Sequence, residues 1–336
     1  MKKQYYALDY AKLLLAYIVV FNHIFLSWGG SENVTLLSML GVNIAVPLFF
    51  CISGFLFFKK NKLYISSASD FIQYGKRFLI IYLFWTAILF VFRIPDIIVI
   101  GHSVEAIVVY LIKYIRVVVL IGEYQLWYLI GTIQALIMFY FLRRKRNITI
   151  ITIATVMFFI QFLENVFVGW RDNIEVLNLL FKGYYAIFGT MRNGIFIGFT
   201  YMTLGWVIAE KEERLVRCNN TWKMISAVVA LLITVYLYLT ANSLLDSAMV
   251  AILIPIVICM LMIWLIGYNK DIAEKEMEIR NMSIIIYLSH MPILLALKPI
   301  VSSYKGKYLV GVVAVTLVAW VILKVSEKMK IIRKII

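Results

Sequence analysis

Charge is scarce in this chain of 336 residues: 15% are Asp, Glu, Lys or Arg, against 63% hydrophobic and 15% aromatic. A soluble domain carries about 25% charged and about 45–50% apolar residues. A soluble fold of this length would lack the polar surface to stay dispersed. Cysteine is rare as well. Cys51, Cys218 and Cys259 are too few and too scattered for a disulfide framework or a metal site. Cys51 and Cys259 lie in apolar runs and read as packing residues. Histidine occurs only at 23, 102 and 290, and no HExxH, CxxC or GxxxxGK[ST] is present. Disordered chains, nucleic-acid-binding domains and secreted disulfide scaffolds are excluded. What remains is an all-α, polytopic membrane protein.

A spanning helix needs about 20 residues, so ten spans use roughly 200 and leave no room for a large soluble domain. Residues 1–336 read as a single integral membrane domain. The spacing predicts spans at 8–28, 36–58, 77–99, 126–142, 148–168, 184–209, 221–240, 247–267, 281–300 and 308–325. Asp9 and Lys12 interrupt the first apolar run and no small-residue cleavage site follows it, so it reads as a retained span. The stretch 103–122 carries Glu105, Lys113 and Arg116 and reads as an amphipathic interfacial or re-entrant segment.

The net charge of +15 signals positive-inside loops. With the N-terminus inside, the inner segments hold roughly three times as many Lys and Arg as the outer ones. They include Lys59, Lys60, Lys62, Lys76 and Arg77 in one loop, and Arg143, Arg144, Lys145 and Arg146 in the next. Both chain ends are therefore expected in the cytoplasm, with membrane lipid as the protein's surroundings. His102 falls in an outer loop and reads as solvated.

Ionisable residues inside spans face a cavity or a partner. Asp9 and Lys12 are i,i+3 neighbours and can pair. Lys12 and His23 lie eleven residues apart. That separation returns to nearly the same helix face roughly 16 Å further along. One side of the first span thus carries a cation near the inner surface and an imidazole deeper in the membrane. Two readings stand for this pair. His23 acts as a general base above a ligand-binding Lys12, or it bonds a neighbouring helix while Lys12 snorkels to the headgroups.

Ser53-Gly54 in the second span permits close helix approach, so Ser53 is structural support. Glu123, Gln125, Trp127 and Tyr128 open the fourth span: the aromatics anchor at the interface, and Glu123 borders a polar entrance. Arg192, read inside the sixth span, must pair with a carboxylate such as Glu164 or Glu123, or meet a polar ligand, because a bare arginine there costs at least about 2.5 kcal/mol. Ser283, Tyr287 and His290 follow i, i+4, i+7 and share a face, just before Pro292. They form either an interhelical hydrogen-bond cluster or part of a reaction site. Lys76 and Arg77 serve topology, or hold a phosphorylated cofactor.

Together these segments resemble the acyltransferase-3 superfamily of integral membrane acyltransferases. The residues that carry the resemblance are Leu8-Asp9-Tyr10-Ala11-Lys12 followed by His23, Val46-Pro47-Leu48-Phe49-Phe50-Cys51-Ile52-Ser53-Gly54, Lys76-Arg77, Leu126-Trp127-Tyr128, and Ser283 through His290-Met291-Pro292. They occur in family order along nearly the whole chain. Ala45-Val46-Pro47 and Met191-Arg192-Asn193-Gly194-Ile195-Phe196 also resemble a narrower branch that includes the membrane half of vancomycin-resistance serine racemases. The soluble racemase half has no counterpart here.

The resemblance implies ten spans and transfer of an acyl group, commonly acetyl, from cytoplasmic acyl-CoA to a hydroxyl of a cell-envelope polysaccharide or related glycan. No metal or nucleic acid is implied. His23 matches the family's first-span histidine. Lys12 stands where the family has arginine and lacks its planar two-pronged fork. Under this reading His23 is the base, and Lys12, Lys76 and Arg77 hold the donor. Arg192, His290, Trp127 and Glu123 contact the acceptor or the oxyanion, and Asp9, Ser53 and Tyr287 support the site. The rival reading is a transporter of serine or another small polar metabolite, with Arg192 holding a carboxylate; the absence of a visible inverted repeat counts against it.

Overall fold

The computed structural model describes residues 5–28, 36, 39–61, 67–100, 103–217, 219–268, 276–301 and 304–329. His102, Lys62 and Cys218 lie outside the described residues. Among those described there is no strand. Helix α1 is Tyr6–Trp28, and α2 (Val46–Lys60) continues a π-helical stretch, Met39–Ala45. Then come α3 (Ala68–Val91), α4 (Ile94–Ile100), α5 (Val104–Arg116), α6 (Trp127–Leu142), α7 (Asn147–Val166), α8 (Val168–Asn173) and α9 (Glu175–Phe188). A π-helical Gly194–Gly198 leads into α10 (Phe199–Val216). The chain continues through α11 (Asn220–Thr240), α12 (Leu244–Gly267), α13 (Glu276–Leu297) and α14 (Tyr304–Lys328).

Among the described residues nine helical stretches are long and apolar enough to cross a membrane. The sequence-predicted sixth span, 184–209, is not among them, because it is not one helix. Helix α9 stops at Gly189, whose φ of 70° is the left-handed conformation that ends helices. The next helical stretch starts only after Asn193, whose side-chain oxygen accepts from the Ile195 and Phe196 N–H groups. The passage through the bundle is instead Gly194–Gly198 plus α10. It tolerates its polar residues because it is enclosed by other helices. The predicted third span, 77–99, also shifts: α3 runs Ala68–Val91 and Ile94–Ile100 is separate. Helix α5 runs on into a π-helical Val117–Ile121, and the combined stretch, which carries Glu105, Lys113 and Arg116, is not among the nine. Its exposed Val104, Val108, Ile112 and Ile115 form one apolar stripe, as an interfacial segment requires.

The Met39–Lys60 stretch is 78% buried, against 11% for Asn147–Glu164 and 17% for Asn220–Thr240, which places α2 at the centre and α7 and α11 at the rim. Helices α2 and α10 meet backbone to backbone. A Cβ at Gly54 would run into the Met202 backbone, and one at Gly205 into Cys51 and Phe55. Close approach through small residues is how apolar helices associate where burial from water gives no drive.

Polar contacts gather the helix ends. The Tyr5 hydroxyl donates to Glu212 at 2.8 Å, and Lys59 lies 2.5 Å from the same carboxylate. Lys223 donates to the Val216 carbonyl at 3.1 Å, Arg280 reaches Asp9, and Lys324 reaches Glu278 at 3.4 Å. The starts of α1, α11 and α13 thus sit with the ends of α2, α10 and α14. The first described helix begins, and the last finishes, at one end of the bundle, here termed the basic end.

Candidate active site

Helix α1 lies along α13, and this pairing assembles the residues singled out in the sequence. At the basic end Asp9 is the hub. Its side chain is 5% exposed and lies 2.6 Å from the Lys12 ammonium. Arg280, on the first turns of α13, donates to both Asp9 oxygens, from Nε at 3.1 and 3.2 Å and from its terminal nitrogen at 2.7 Å. Arg77, on α3, is near enough for its charge to act on Lys12. Two cations therefore pair with one carboxylate and a third, Arg77, lies near Lys12, leaving a net positive patch. Lys76 is exposed one position away.

Deeper along the same two helices, His23 and His290 face each other. Their ring centroids are 5.1 Å apart and the rings are tilted by 39°. His290 is fully buried; His23 is half-buried. His290 Nδ1 lies 3.2 Å from the Ile286 carbonyl oxygen. Eleven residues of helix separate Lys12 from His23, a rise of roughly 16 Å.

The surrounding shell is aromatic and polar. The Tyr287 hydroxyl donates to the Gln125 carbonyl at 2.7 Å, and the Gln125 amide donates to the Leu288 carbonyl at 2.9 Å. Pro292 has no N–H to offer Leu288, its partner four residues back, so the Gln125 amide fills that place. Tyr287 packs against Phe49, Tyr128 and His290 at 5.3, 5.7 and 6.1 Å between centroids. Ser53 shares a 2.6 Å hydrogen bond with the Tyr128 hydroxyl. Ser53 and Tyr287 thus belong to one layer beside the histidines.

The remaining predicted contacts lie apart from this layer. Glu123 is paired with Arg93, whose Nε donates to it at 2.6 Å, while the Tyr114 hydroxyl donates to its other oxygen at 3.3 Å. This carboxylate is already occupied as the clamp of the α3–α4 turn. Trp127 stacks edge-on to Phe50 at 5.7 Å. Arg192 is exposed in the non-helical stretch between α9 and Gly194. Its backbone N–H is held by Thr190 at 3.0 Å, and Glu164, bound by the Tyr185 hydroxyl at 2.5 Å, attracts its charge without a salt bridge. Cys51 and Cys259 are free thiols. Among the described residues no group of three or more His, Cys, Asp or Glu is arranged to hold a metal ion.

Sequence reasoning missed Arg280 as a site residue. It was visible only as a loop charge, although 280, 283 and 287 follow i, i+3, i+7 and so share a face with Ser283 and Tyr287.

No curated protein and no solved structure matches the chain. The family model described as an acyltransferase domain matches residues 5–324, which takes in the cation cluster, both histidines and every helix that positions them. The chain is a membrane protein of the acyltransferase-3 family.

Proposed function

We propose that this protein moves an acyl group, acetyl in the simplest case, from acyl-CoA to a hydroxyl of a cell-envelope glycan or related acceptor. The observation that carries the proposal is the shared placement on α1 and α13 of a cation cluster at the basic end and a histidine pair deeper in. Lys12, Arg77 and Arg280 offer charge to the donor's phosphates, and Lys76 adds to the surrounding field. The extended pantetheine arm then carries the thioester along α1 toward His23.

His23 takes the proton of the acceptor hydroxyl as its oxygen attacks the thioester carbonyl carbon. The C–S bond breaks, and the proton passes to the departing thiolate. Ester and free thiol are the products. The aromatic layer of Phe49, Tyr128 and Tyr287 excludes bulk water from the thioester. Trp127 and Arg192 belong to the opposite end of the bundle, where an acceptor would approach.

The basic end carries Lys59, Lys60, Lys76, Arg77, Arg143, Arg144, Lys145 and Arg280, which supports a cytoplasmic position for it and for both chain ends. A bacterial plasma membrane fits this reading.

Thermal unfolding of the purified protein in detergent with acetyl-CoA tests it. A ligand at 100 times its Kd adds about 2.7 kcal/mol to native stability. The proposal expects a dose-dependent rise with acetyl-CoA, and a smaller rise with ATP. No rise with any CoA compound, together with a rise for serine, would overturn it in favour of transport.

A further inference from the structure

His290 is fully buried beside His23, and its two ring nitrogens are in different situations. Nδ1 lies 3.2 Å from the Ile286 carbonyl oxygen. A carbonyl only accepts, so Nδ1 carries the hydrogen, and in a neutral ring Nε2 is then a bare acceptor. That Nε2 is buried and has no hydrogen-bond partner. Buried polar groups are normally satisfied, and an exception calls for an explanation. The ring beside it is His23, 5.1 Å away between centroids, a separation short enough for an N–H···N hydrogen bond after a small ring rotation. Because His23 is half-buried and His290 fully buried, only His23 is placed to meet substrate.

We infer that His290 is the positioning residue for His23: its bare Nε2 accepts the His23 N–H and so fixes which His23 nitrogen presents a lone pair to the acceptor. This rests on the reading of His23 as the base. The proton balance is complete within the pair. As the acceptor oxygen bonds to the thioester carbon, its proton moves to the free nitrogen of His23, and the N–H on the far side of that ring moves to His290 Nε2. When the C–S bond breaks, the proton returns through His23 to the thiolate, and both rings end neutral. The fixed hydrogen on Nδ1 also argues against His290 as an oxyanion donor, since its inward nitrogen has no hydrogen to give.

The chain has three histidines, so nitrogen-15 NMR of histidine-labelled protein in nanodiscs is assignable by single substitution. The expected result is a protonated Nδ1 and a hydrogen-bond-accepting Nε2 on His290, with the Nε2 resonance moving in His23→Phe. A protonated Nε2, or a resonance indifferent to His23→Phe, overturns the inference whatever the activity. The second arm follows transfer of labelled acetyl into envelope material by cells producing each variant. His290→Leu should lose at least tenfold while remaining folded by thermal unfolding, and His290→Gln, which restores an acceptor oxygen, should recover most of it. If His23→Ala is inactive while folded His290→Leu is fully active, this inference fails alone. If His23→Ala is fully active, or wild type transfers nothing, the proposed function fails with it.

Discussion

Replacing Asp9 by Asn removes the carboxylate that pairs with both Lys12 and Arg280. The carboxylate is 5% exposed, Lys12 beside it is 15% exposed and Arg280 is 45% exposed. The two partners therefore count differently. An exposed pair contributes about 0.2–1 kcal/mol, which bounds the Arg280 share, whereas breaking a buried pair costs about 3–5 kcal/mol because a charge is left unmatched. Asp9→Asn is expected near the lower end of that range, about 3 kcal/mol, and Arg280→Ala at about 1 kcal/mol. Replacing Lys12 by Met in the Asp9→Asn background removes the stranded ammonium and should bring stability back toward wild type, since deleting both members of a buried pair is often neutral. Unfolding by SDS in mixed micelles, followed by tryptophan fluorescence, measures all four proteins. An Asp9→Asn variant within about 0.5 kcal/mol of wild type, or a double variant less stable than the single one, would refute the hub role of Asp9.

Gly54→Val places a branched side chain against the Met202 backbone; overpacking costs about 1–3 kcal/mol, and lower thermal stability of the purified protein should report it. Glu123→Gln weakens the Arg93 clamp and should cost about 1–3 kcal/mol, while the stabilisation by acetyl-CoA stays as in wild type because the clamp lies at the other end. Arg77→Ala and Arg280→Ala should each weaken acetyl-CoA binding about tenfold, since a hydrogen bond to a charged group is worth about 1.5–3 kcal/mol. Titrations at several salt concentrations should show the remaining affinity less salt-dependent.

Much of this arrangement was legible in the sequence, for physical reasons. An apolar chain must fold as helices in a bilayer because each helix satisfies its own backbone. Polar residues within such helices stand out, which singled out Asp9, Lys12, His23 and His290 individually. Their assembly was not legible, since nothing in the sequence places α1 beside α13. The break at Gly189 was written in the chain, as a glycine followed four residues later by Asn193, but the apolar residues on both sides gave one continuous hydropathy signal. Arg192 was therefore read within a helix, whereas it lies in the connection. Glu123 suggested an entrance because it stands at the outer start of the fourth span, and nothing in the sequence shows that Arg93, thirty residues earlier, turns back past the end of α3 to clamp it. Arg280 escaped notice because positive-inside counting already accounted for it.

The most direct test of the central claim compares wild type with His23→Ala for transfer of the labelled acetyl group of acetyl-CoA into alkali-labile esters, in membrane vesicles that retain envelope material. Thermal unfolding of the purified variant supplies the control for folding. The account predicts ester label with wild type and its loss, by at least about a hundredfold if His23 is the general base, in a variant that is folded and still stabilised by acetyl-CoA. Ester formation at the wild-type rate by His23→Ala would contradict it.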